Sequence, residues 1–193
     1  NIMGPKEISP RYDTSLLKSC GKDVFISKNV EIRRPHLVSV GNHVAIDSGF
    51  YLTTKASIGD YVHIGPKVTV IGGPKSKLKI GNFVNVTVGA MLICGSDSFS
   101  GNGLVTAPGI PEEFLNETSF SSIVIEDFAS VCAGAIVMPG VTVAEGSVVG
   151  AGSFLNKNTK PWTIYMGSPA KPVKTRPKEK MIEYAKKLGY SKE

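Results

Sequence analysis

Three polar side chains of this 193-residue chain have types and spacing suited to proton transfer. His63 precedes Ile64, Asn85 precedes Val86, and Asp97 opens a long segment rich in Gly and Ser. Imidazole groups titrate near neutral pH, so histidine is the usual general base in proteins. We therefore take His63 as the best candidate base. A structural or interface role for this histidine is the alternative.

A six-residue period in the sequence would position these side chains. A helix repeats near 3.6 residues and an ordinary strand near 2, so a period of 6 predicts short strands and turns repeated along a solenoid. His63 and Asn85 each come one residue before an inward position, so both should face outward and stack in adjacent coils. The inward aliphatic positions are Ile26, Ile32, Val40, Ile46, Leu52, Ile58, Ile64, Val70, Ile80, Val86, Leu92, Ile125, Val131, Val137, Val143, Val149 and Leu155.

Three interruptions of the period indicate a three-sided coil. Two, four and 27 extra residues follow Ile32, Val70 and Leu92, and each break falls after a third inward position. All three breaks are therefore expected at one corner of the solenoid. Edge insertions often carry binding residues, so the longest loop is the main candidate for substrate contact, and a disordered insertion is the alternative. Its apolar residues are expected to pack on a neighbouring subunit: Phe99, Leu104, Phe114 and Phe120.

Three segments are expected along the chain: a lead-in at 1–23, a solenoid at 24–160 that includes the loop 93–122, and an extension with a capping helix at 161–193. The helix is predicted over 177–188, between a proline and Gly189. Three cysteines without metal or redox spacing favour reduced thiols in a cytoplasmic protein. The sequence has no apolar run near 18 residues, so no membrane insertion is expected.

The positive charge is concentrated near the C-terminus. Residues 157–193 carry ten Lys/Arg and three Asp/Glu, whereas the rest of the chain carries twelve Lys/Arg and thirteen Asp/Glu. Such a segment suits solvent, nucleic acid or a phosphate-bearing cofactor. Without interleaved aromatic residues or arginine clusters, nucleic acid is not expected.

The repeats VHIGPKVTV and LKIGNFVNV, the stretch 123–155 and the ending PWTIYMGSPAKPVKTR resemble the hexapeptide-repeat acyltransferases. The resemblance implies an all-β fold: a left-handed parallel β-helix of about six coils, with one long inserted loop and a short C-terminal α-helix. The left-handed sense comes from the resemblance, since the general crossover rule predicts the right-handed one. The family's G-x-P-A-K ending, matched at 167–171, implies a coenzyme A-dependent acetyltransferase with no metal.

The resemblance also implies where coenzyme A and other subunits bind. Small residues along the coils and basic residues after them would meet the cofactor: Ala133, Gly134, Ala151, Gly152, Lys157, Lys160, Pro169, Lys171 and Lys174. The family forms trimers with active sites between subunits. Apolar outward residues agree with a homotrimer, because outer solenoid faces otherwise meet water: Val124, Ile136, Val148 and Phe154.

The segment SDSFSGNG resembles the S-D-D-x-S-G segment of enzymes that acetylate sugars for bacterial surface polysaccharides. Asp97, at the start of the loop, is expected to orient His63, bind the acceptor or take the proton, beside Asn85 as a third catalytic candidate. A role as a turn residue in a Ser/Gly-rich loop is the alternative for Asp97. Substrate contacts are expected from Ser96, Ser98, Phe99 and Ser100. Galactoside and maltose acetyltransferases carry a loop histidine near this place, which this chain lacks.

That departure favours acetylation of the amino group of a nucleotide-linked (dTDP, UDP or GDP) deoxy-amino sugar, in O-antigen, lipopolysaccharide or capsule biosynthesis. A sugar or polysaccharide O-acetyltransferase is the alternative. Two other classes are a γ-type carbonic anhydrase and a non-catalytic assembly module. The first needs three converging histidines, whereas His36, His43 and His63 occupy dissimilar coil positions.

Overall fold

The computed structural model describes residues 10–190, which form a three-walled prism of short strands. Expectations for residues 1–9 and 191–193 lie outside the described part of the chain. Each coil gives one strand to each wall, and strands of successive coils pair in parallel. The predicted parallel β-helix with three-sided coils is confirmed.

The strands are numbered in chain order and grouped by wall. The first wall consists of β1 (Ser19–Cys20), β4 (Val38–Val40), β7 (Lys55–Ile58), β10 (Lys77–Ile80), β15 (Ile123–Ile125) and β18 (Thr142–Val143). The second consists of β2 (Phe25–Ile26), β5 (Ala45–Ile46), β8 (His63–Ile64), β11 (Asn85–Val86), β16 (Ser130–Val131), β19 (Val148–Val149), β21 (Thr163–Gly167) and β22 (Ala170–Thr175). The third consists of β3 (Glu31–Ile32), β6 (Tyr51–Leu52), β9 (Thr69–Ile71), β12 (Met91–Ile93), β17 (Ile136–Val137) and β20 (Phe154–Leu155).

The core is a continuous column of aliphatic side chains inside the prism. Every inward position predicted from the six-residue period is buried. A second series, two residues before the first, is buried as well, including Val62, Val84 and Ile123. The sequence reading missed this series because short strands alternate inward and outward side chains, so each coil side buries two residues rather than one.

The corner between the third and first walls, called the insertion corner, holds all three breaks of the period, as predicted. The 3-10 helix Pro35–Leu37 fills the first break, and the long loop leaves after β12 and returns at β15. The loop opens and closes as an antiparallel pair, β13 (Gly95–Asp97) with β14 (Thr118–Phe120), and contains the 3-10 helix Glu112–Phe114. Phe120 lies against Gly73 and Gly95, which holds the base of the loop on this corner.

The corner between the first and second walls, called the aromatic corner, carries a ladder of rings in successive coils. The rings belong to His43, Tyr61, Phe83, Phe128 and Trp162, with neighbouring centroids 4.5, 5.1, 5.1 and 5.8 Å apart. All five residues have a positive φ between 51° and 62°. That left-handed conformation costs energy for a bulky residue, so the stacking and burial of the rings must offset it.

The C-terminal helix α1 (Glu179–Lys187) is present where the sequence predicted a helix, but its position differs from the expected one. It packs along the aromatic corner through Met181, Ile182 and Ala185, rather than across the open end of the coils. Arg176 directs the chain there, because its guanidinium donates to the carbonyl oxygens of Phe128 and Gly146.

The last coil is covered by β21, which pairs with β19 and places buried Tyr165 against the core. The 3-10 helix Thr14–Leu16 precedes β1 at the other end of the coils, so the pairing of the first wall begins at Ser19. Within residues 10–190, no helix is long and apolar enough to cross a membrane.

Candidate functional site

The outer face of the second wall carries His63 and Asn85 side by side. The two residues are register partners in the adjacent strands β8 and β11, as their spacing predicted. Strands of one wall lie about 4.8 Å apart, so the two side chains can contact the same small molecule. Ala45 and Ser130 extend this row on either side. The row is therefore polar in its middle and has small residues at its flanks.

Asp47 is a partner of His63 that the sequence analysis did not single out. Its Oδ2 lies 3.0 Å from Nε2 of His63, and the two side chains are 30% and 36% exposed. Asp47 follows inward Ile46 in β5, so it also faces outward and reaches diagonally to the next coil. The signal was present in the sequence, because residues on both sides of an inward position point outward.

Asp97 lies in the insertion loop with a different set of contacts. Its carboxylate accepts hydrogen bonds from the backbone N–H and the hydroxyl of Thr106, at 3.3 and 3.0 Å. The neighbouring serines contact one another: the hydroxyl of Ser96 donates to the carbonyl oxygen of Asp97, and the hydroxyls of Ser98 and Ser100 are 3.1 Å apart. These bonds hold the Asp97 carboxylate in a fixed position within the loop.

The two groups of candidate residues lie on opposite sides of one chain. The loop with Asp97 leaves the prism at the insertion corner, where the third and first walls meet. The face with His63 belongs to the second wall, which is the wall opposite that corner. The carboxylate that contacts His63 within this chain is accordingly Asp47. Within one chain, His63 and Asp97 therefore belong to different sides of the prism.

The small residues expected to meet coenzyme A line the corner between the second and third walls. Ala133 and Gly134 lie between β16 and β17, and Ala151 and Gly152 occupy the same corner one coil later. Both glycines have φ near 65°, and an added Cβ would meet no atom within 4 Å at either one. This part of the corner is therefore an open strip that borders the second wall, one and two coils beyond the strand that carries Asn85.

The predicted basic residues do not all follow that strip. Lys171 and Lys174 are exposed on β22, which pairs antiparallel with β21 at the end of the second wall. Pro169 follows a cis peptide bond in the turn between these two strands. Lys157 and Lys160 are exposed on the segment that runs from β20 towards the aromatic corner. The structure thus separates the four lysines into two pairs on different sides of the last coil.

Cys132 is another titratable group on the outer face of the second wall. Burial raises the pKa of its thiol, and the nearby charge of Arg176 only partly opposes that effect. A thiol needs a depressed pKa to act as a nucleophile near neutral pH. The raised pKa therefore does not favour Cys132 as a nucleophile.

The three histidines lie in different parts of the prism. His36 is in the 3-10 helix at the insertion corner, His43 is in the aromatic ladder, and His63 is on the second wall. Among residues 10–190, no three His, Cys, Asp or Glu side chains are grouped so that they could hold a metal ion.

The parallel solenoid, with His63 and Asn85 in one polar row and small residues at the next corner, is the arrangement that the resemblance to hexapeptide-repeat acyltransferases predicts. No protein-family model matches the chain. It is 31% identical over 169 residues to the dTDP-4-amino-4,6-dideoxy-D-glucose acyltransferase of Escherichia coli, and the match covers 86% of this chain and 85% of that enzyme.

Solved structures of AntD, an N-acyltransferase from Bacillus cereus, have the same fold. A variant of AntD with bound dTDP-4-amino-4,6-dideoxyglucose and coenzyme A has a TM-score of 0.85 and 30% identity, with 94% of this chain and 97% of that chain covered. AntD with dTDP and 3-hydroxybutyryl-CoA has a TM-score of 0.83 and 29% identity, with 95% and 100% covered. The chain belongs to the hexapeptide-repeat acyltransferase family, and its fold is the left-handed β-helix of these enzymes.

Proposed function

We propose that this protein is an acyl-CoA-dependent N-acyltransferase whose acceptor is the amino group of a dTDP-linked 4-amino-4,6-dideoxy sugar. The observation that carries the proposal is the similarity, over nearly the whole chain, to an Escherichia coli enzyme named for that substrate. The AntD complexes support it, since AntD is an N-acyltransferase and binds a dTDP-amino sugar and coenzyme A. The lack of histidine in the loop 93–122 agrees with an amine acceptor, because an amine is a better nucleophile than a hydroxyl.

The proposal gives each candidate residue a role in the reaction. The amine nitrogen attacks the thioester carbonyl carbon, the C–S bond breaks, and the amine loses a proton while the thiolate gains one. His63 takes the proton from the amine, and the amide of Asn85 donates a hydrogen bond to the oxygen that becomes negative. Asp97 binds the amine, and Ser96, Ser98, Phe99 and Ser100 contact the sugar.

The acyl donor is assigned to the second wall and the corner beside it. Ala133, Gly134, Ala151 and Gly152 would allow pantetheine to lie close to the backbone, because they present little side chain. Lys171 and Lys174, with Pro169 in the turn before them, would meet its phosphates at the end of that wall. Lys157 and Lys160 would contribute only through the general positive field, since they lie on another side of the last coil.

Thiol release tests this function directly. Purified protein is mixed with acetyl-CoA or 3-hydroxybutyryl-CoA and with dTDP-4-amino-4,6-dideoxyglucose, and free coenzyme A is followed with a thiol reagent. We expect release with this acceptor and none with dTDP-4,6-dideoxyglucose, the matched compound without the amine. Release with a free sugar or a glycan, but not with the amino sugar, would instead establish an O-acetyltransferase.

A homotrimer with shared active sites is part of the proposal. Its support is the separation of His63 from Asp97 within one chain, together with exposed apolar side chains on the loop. Phe99, Leu104 and Phe114 are 73%, 55% and 55% exposed, which is unusual for such residues in a free surface loop. In a closed ring, each subunit would present its second wall to the loop of the next.

Mixed oligomers test the shared site. His63→Ala and Asp97→Ala are purified separately, shown to be inactive, unfolded together and refolded at equal amounts. If sites are shared, about one interface in four combines an intact His63 with an intact Asp97, so about a quarter of wild-type activity should return. No recovery, with a trimeric mass in sedimentation, contradicts a shared site, and a monomeric mass contradicts the trimer itself.

The proposal also includes a cytoplasmic location and a role in lipopolysaccharide or capsule synthesis. The three cysteines are free in the structure, which suits a reducing compartment. Fractionation of cells that express the tagged protein tests the location. Loss of the N-acylated sugar from surface polysaccharide after deletion of the gene tests the role.

A further inference from the structure

Asp47 and His63 are held in a fixed relation by the backbone. Ala45 pairs with His63 and Ile46 pairs with Ile64, so β5 and β8 are in continuous register. The backbone N–H of Asp47 donates to the carbonyl oxygen of Ile64 at 2.9 Å, which places Asp47 beside the strand that carries His63. The residue after Ile64 is Gly65, so no side chain stands between the carboxylate and the imidazole.

The hydrogen bond between the two side chains selects one form of the imidazole. An ionised carboxylate only accepts hydrogen bonds, so the nitrogen at 3.0 Å from Asp47 Oδ2, which is Nε2, must carry hydrogen. In a neutral ring the other nitrogen, Nδ1, then has no hydrogen and is the basic one. Asp47 thus determines which nitrogen of His63 can accept a proton.

Stabilisation of the fold does not explain this pair. Both side chains are about one-third exposed, and ion pairs of that exposure contribute about 0–1 kcal/mol to folding. The other His–Asp pair, His43 with Asp23 at 3.2 Å, differs because the His43 ring is stacked on Tyr61 within the aromatic ladder. His63 instead has the small residue Ala45 and the polar residue Asn85 as register neighbours, which leaves room for a ligand.

We infer that Asp47 is a positioning residue for the transfer reaction: it keeps the proton of His63 on Nε2, so that Nδ1 is the atom that accepts the proton of the sugar amine. The inference rests on the proposed function for the identity of the acceptor. The protonation state of the imidazole is a property of the protein alone, so that part of the inference is independent of the proposed function. Asp47 itself touches His63 and need not touch the substrate.

The state of His63 is measured first, without substrate. The chain has 3 histidines, so labelling with ¹⁵N-histidine gives few ring signals, which single His→Gln variants assign. We expect the Nε2–H form of His63 in the wild type and a mixture of both forms in Asp47→Asn, because an amide can donate as well as accept. An Nδ1–H form in the wild type, or an unchanged Nε2–H form in Asp47→Asn, overturns the inference.

Kinetics provide the second readout. We expect kcat to fall at least about 10-fold in Asp47→Asn with KM nearly unchanged, because replacing the partner that orients a metal-bound histidine costs about 10- to 100-fold and replacing the buried aspartate of a serine-protease triad costs about 10,000-fold. Asp47→Glu should recover part of kcat because it restores a carboxylate. Asp23→Asn, which changes the other His–Asp pair, should retain wild-type kcat.

Different results would overturn the inference about Asp47 and the proposed N-acyltransferase function. A wild-type kcat in Asp47→Asn overturns the inference while the proposed function stands. No thiol release by the wild-type protein with any amino sugar overturns the proposed function, and the ring signals still decide whether Asp47 fixes His63.

Discussion

The aromatic corner and the outer face of the second wall are built from the same repeat, yet outward side chains are stacked and covered at the corner and partly exposed on the face. At the corner, rings from successive coils stack on one another, and α1 covers them through Ala185 and its neighbours. On the face, Asp47, His63 and Asn85 are polar and only partly covered. The difference shows that outward side chains at different positions of one repeat can either hold coils together or remain available to a ligand.

The polar residues at the corner are also satisfied within the protein. Side-chain oxygens of Asp60, Asn82 and Asp127 each accept a backbone N–H from the preceding coil, at 2.6–2.8 Å. Such bonds fix the spacing of the coils and leave little for a ligand. On the face, Asp47 forms a hydrogen bond with Nε2 of His63. Nδ1 of His63 is then the ring nitrogen that we infer to accept a proton. Substitutions in the two regions should therefore separate stability from activity.

His63→Ala should give the largest effect. We expect kcat/KM for the amino sugar to fall about 100- to 10,000-fold, the usual contribution of a general base. The free energy of unfolding should change little, because the side chain is 36% exposed and has no stacked partner comparable to that of His43. Thiol-release kinetics and urea unfolding measure the two quantities. His43→Ala is the matched control, and an equal loss of activity there would break the distinction between the two regions.

Phe128→Ala should show the reverse pattern. Phe128 is 7% exposed and stacks on Phe83 with centroids 5.1 Å apart. Removing a buried phenyl ring costs about 3–5 kcal/mol of unfolding free energy, while kcat/KM at a temperature where the variant is folded should stay close to the wild-type value. Chemical unfolding and initial rates give both numbers. Tyr184→Ala, which removes a ring 56% exposed on α1, should leave both near wild type.

Gly146→Ala tests how closely Trp162 covers the corner. Gly146 has φ +65°, and an added Cβ would lie 2.3 Å from the indole ring of Trp162. We expect a loss of about 1–3 kcal/mol from overpacking, in addition to the strain of that φ. Gly152→Ala has the same φ and nothing within 4 Å, so it carries the strain alone. Equal unfolding midpoints for the two variants would show that Trp162 moves aside without cost.

Tyr190→Phe should give the smallest effect, and its size should depend on pH. The Tyr190 hydroxyl donates to Asp60 beside the aromatic corner. Burial, and then the contact with Asp60, raises the pKa of Tyr190 to about 12. Burial alone would raise the pKa of Asp60, but the hydrogen bonds from Tyr190 and Asn42 outweigh it and leave that pKa below its usual value.

Near neutral pH we expect Tyr190→Phe to lose about 1 kcal/mol of unfolding free energy. Because the folded pKa of Asp60 is lowered, its stabilising effect is lost as pH falls below the ordinary aspartate value of about 4. Because the folded pKa of Tyr190 is raised, its effect is lost as pH rises from about 10, its unfolded value, towards 12. The difference between wild type and variant should therefore shrink at both extremes. A difference independent of pH would show that this hydrogen bond does not attach α1 to the corner.

The coils could be predicted from the sequence because the inward residue of each repeat recurs at a regular interval. A residue such as Ile64 or Val86 returns at a fixed interval, so the three-sided coil and the corner with all insertions followed from counting alone. The register of His63 with Asn85 followed for the same reason. These features depend on the spacing of residues along the chain, which can be counted in the sequence.

Features that depend on which side of the prism a residue faces could not be read from spacing. The spacing placed the loop with Asp97 at the insertion corner, but a 27-residue insertion has no period that predicts its path or its distance from the second wall. The partnership of Asp47 with His63 is diagonal between coils, 16 residues apart in the chain. The helix α1 was predicted as an element, but Arg176 and the rings of the corner decided where it packs.

By itself, the sequence determined the solenoid, the inward residues and the outward direction of His63, since these follow from a repeat of backbone geometry. Only the tertiary structure decided the contacts between coils: the stacked rings at one corner, the Asp47–His63 pair on the second wall, and the distance of the loop from that wall. The physical reason is that such contacts depend on distances between coils and on the side of the prism that each residue faces. The spacing of residues along the chain does not specify either of these.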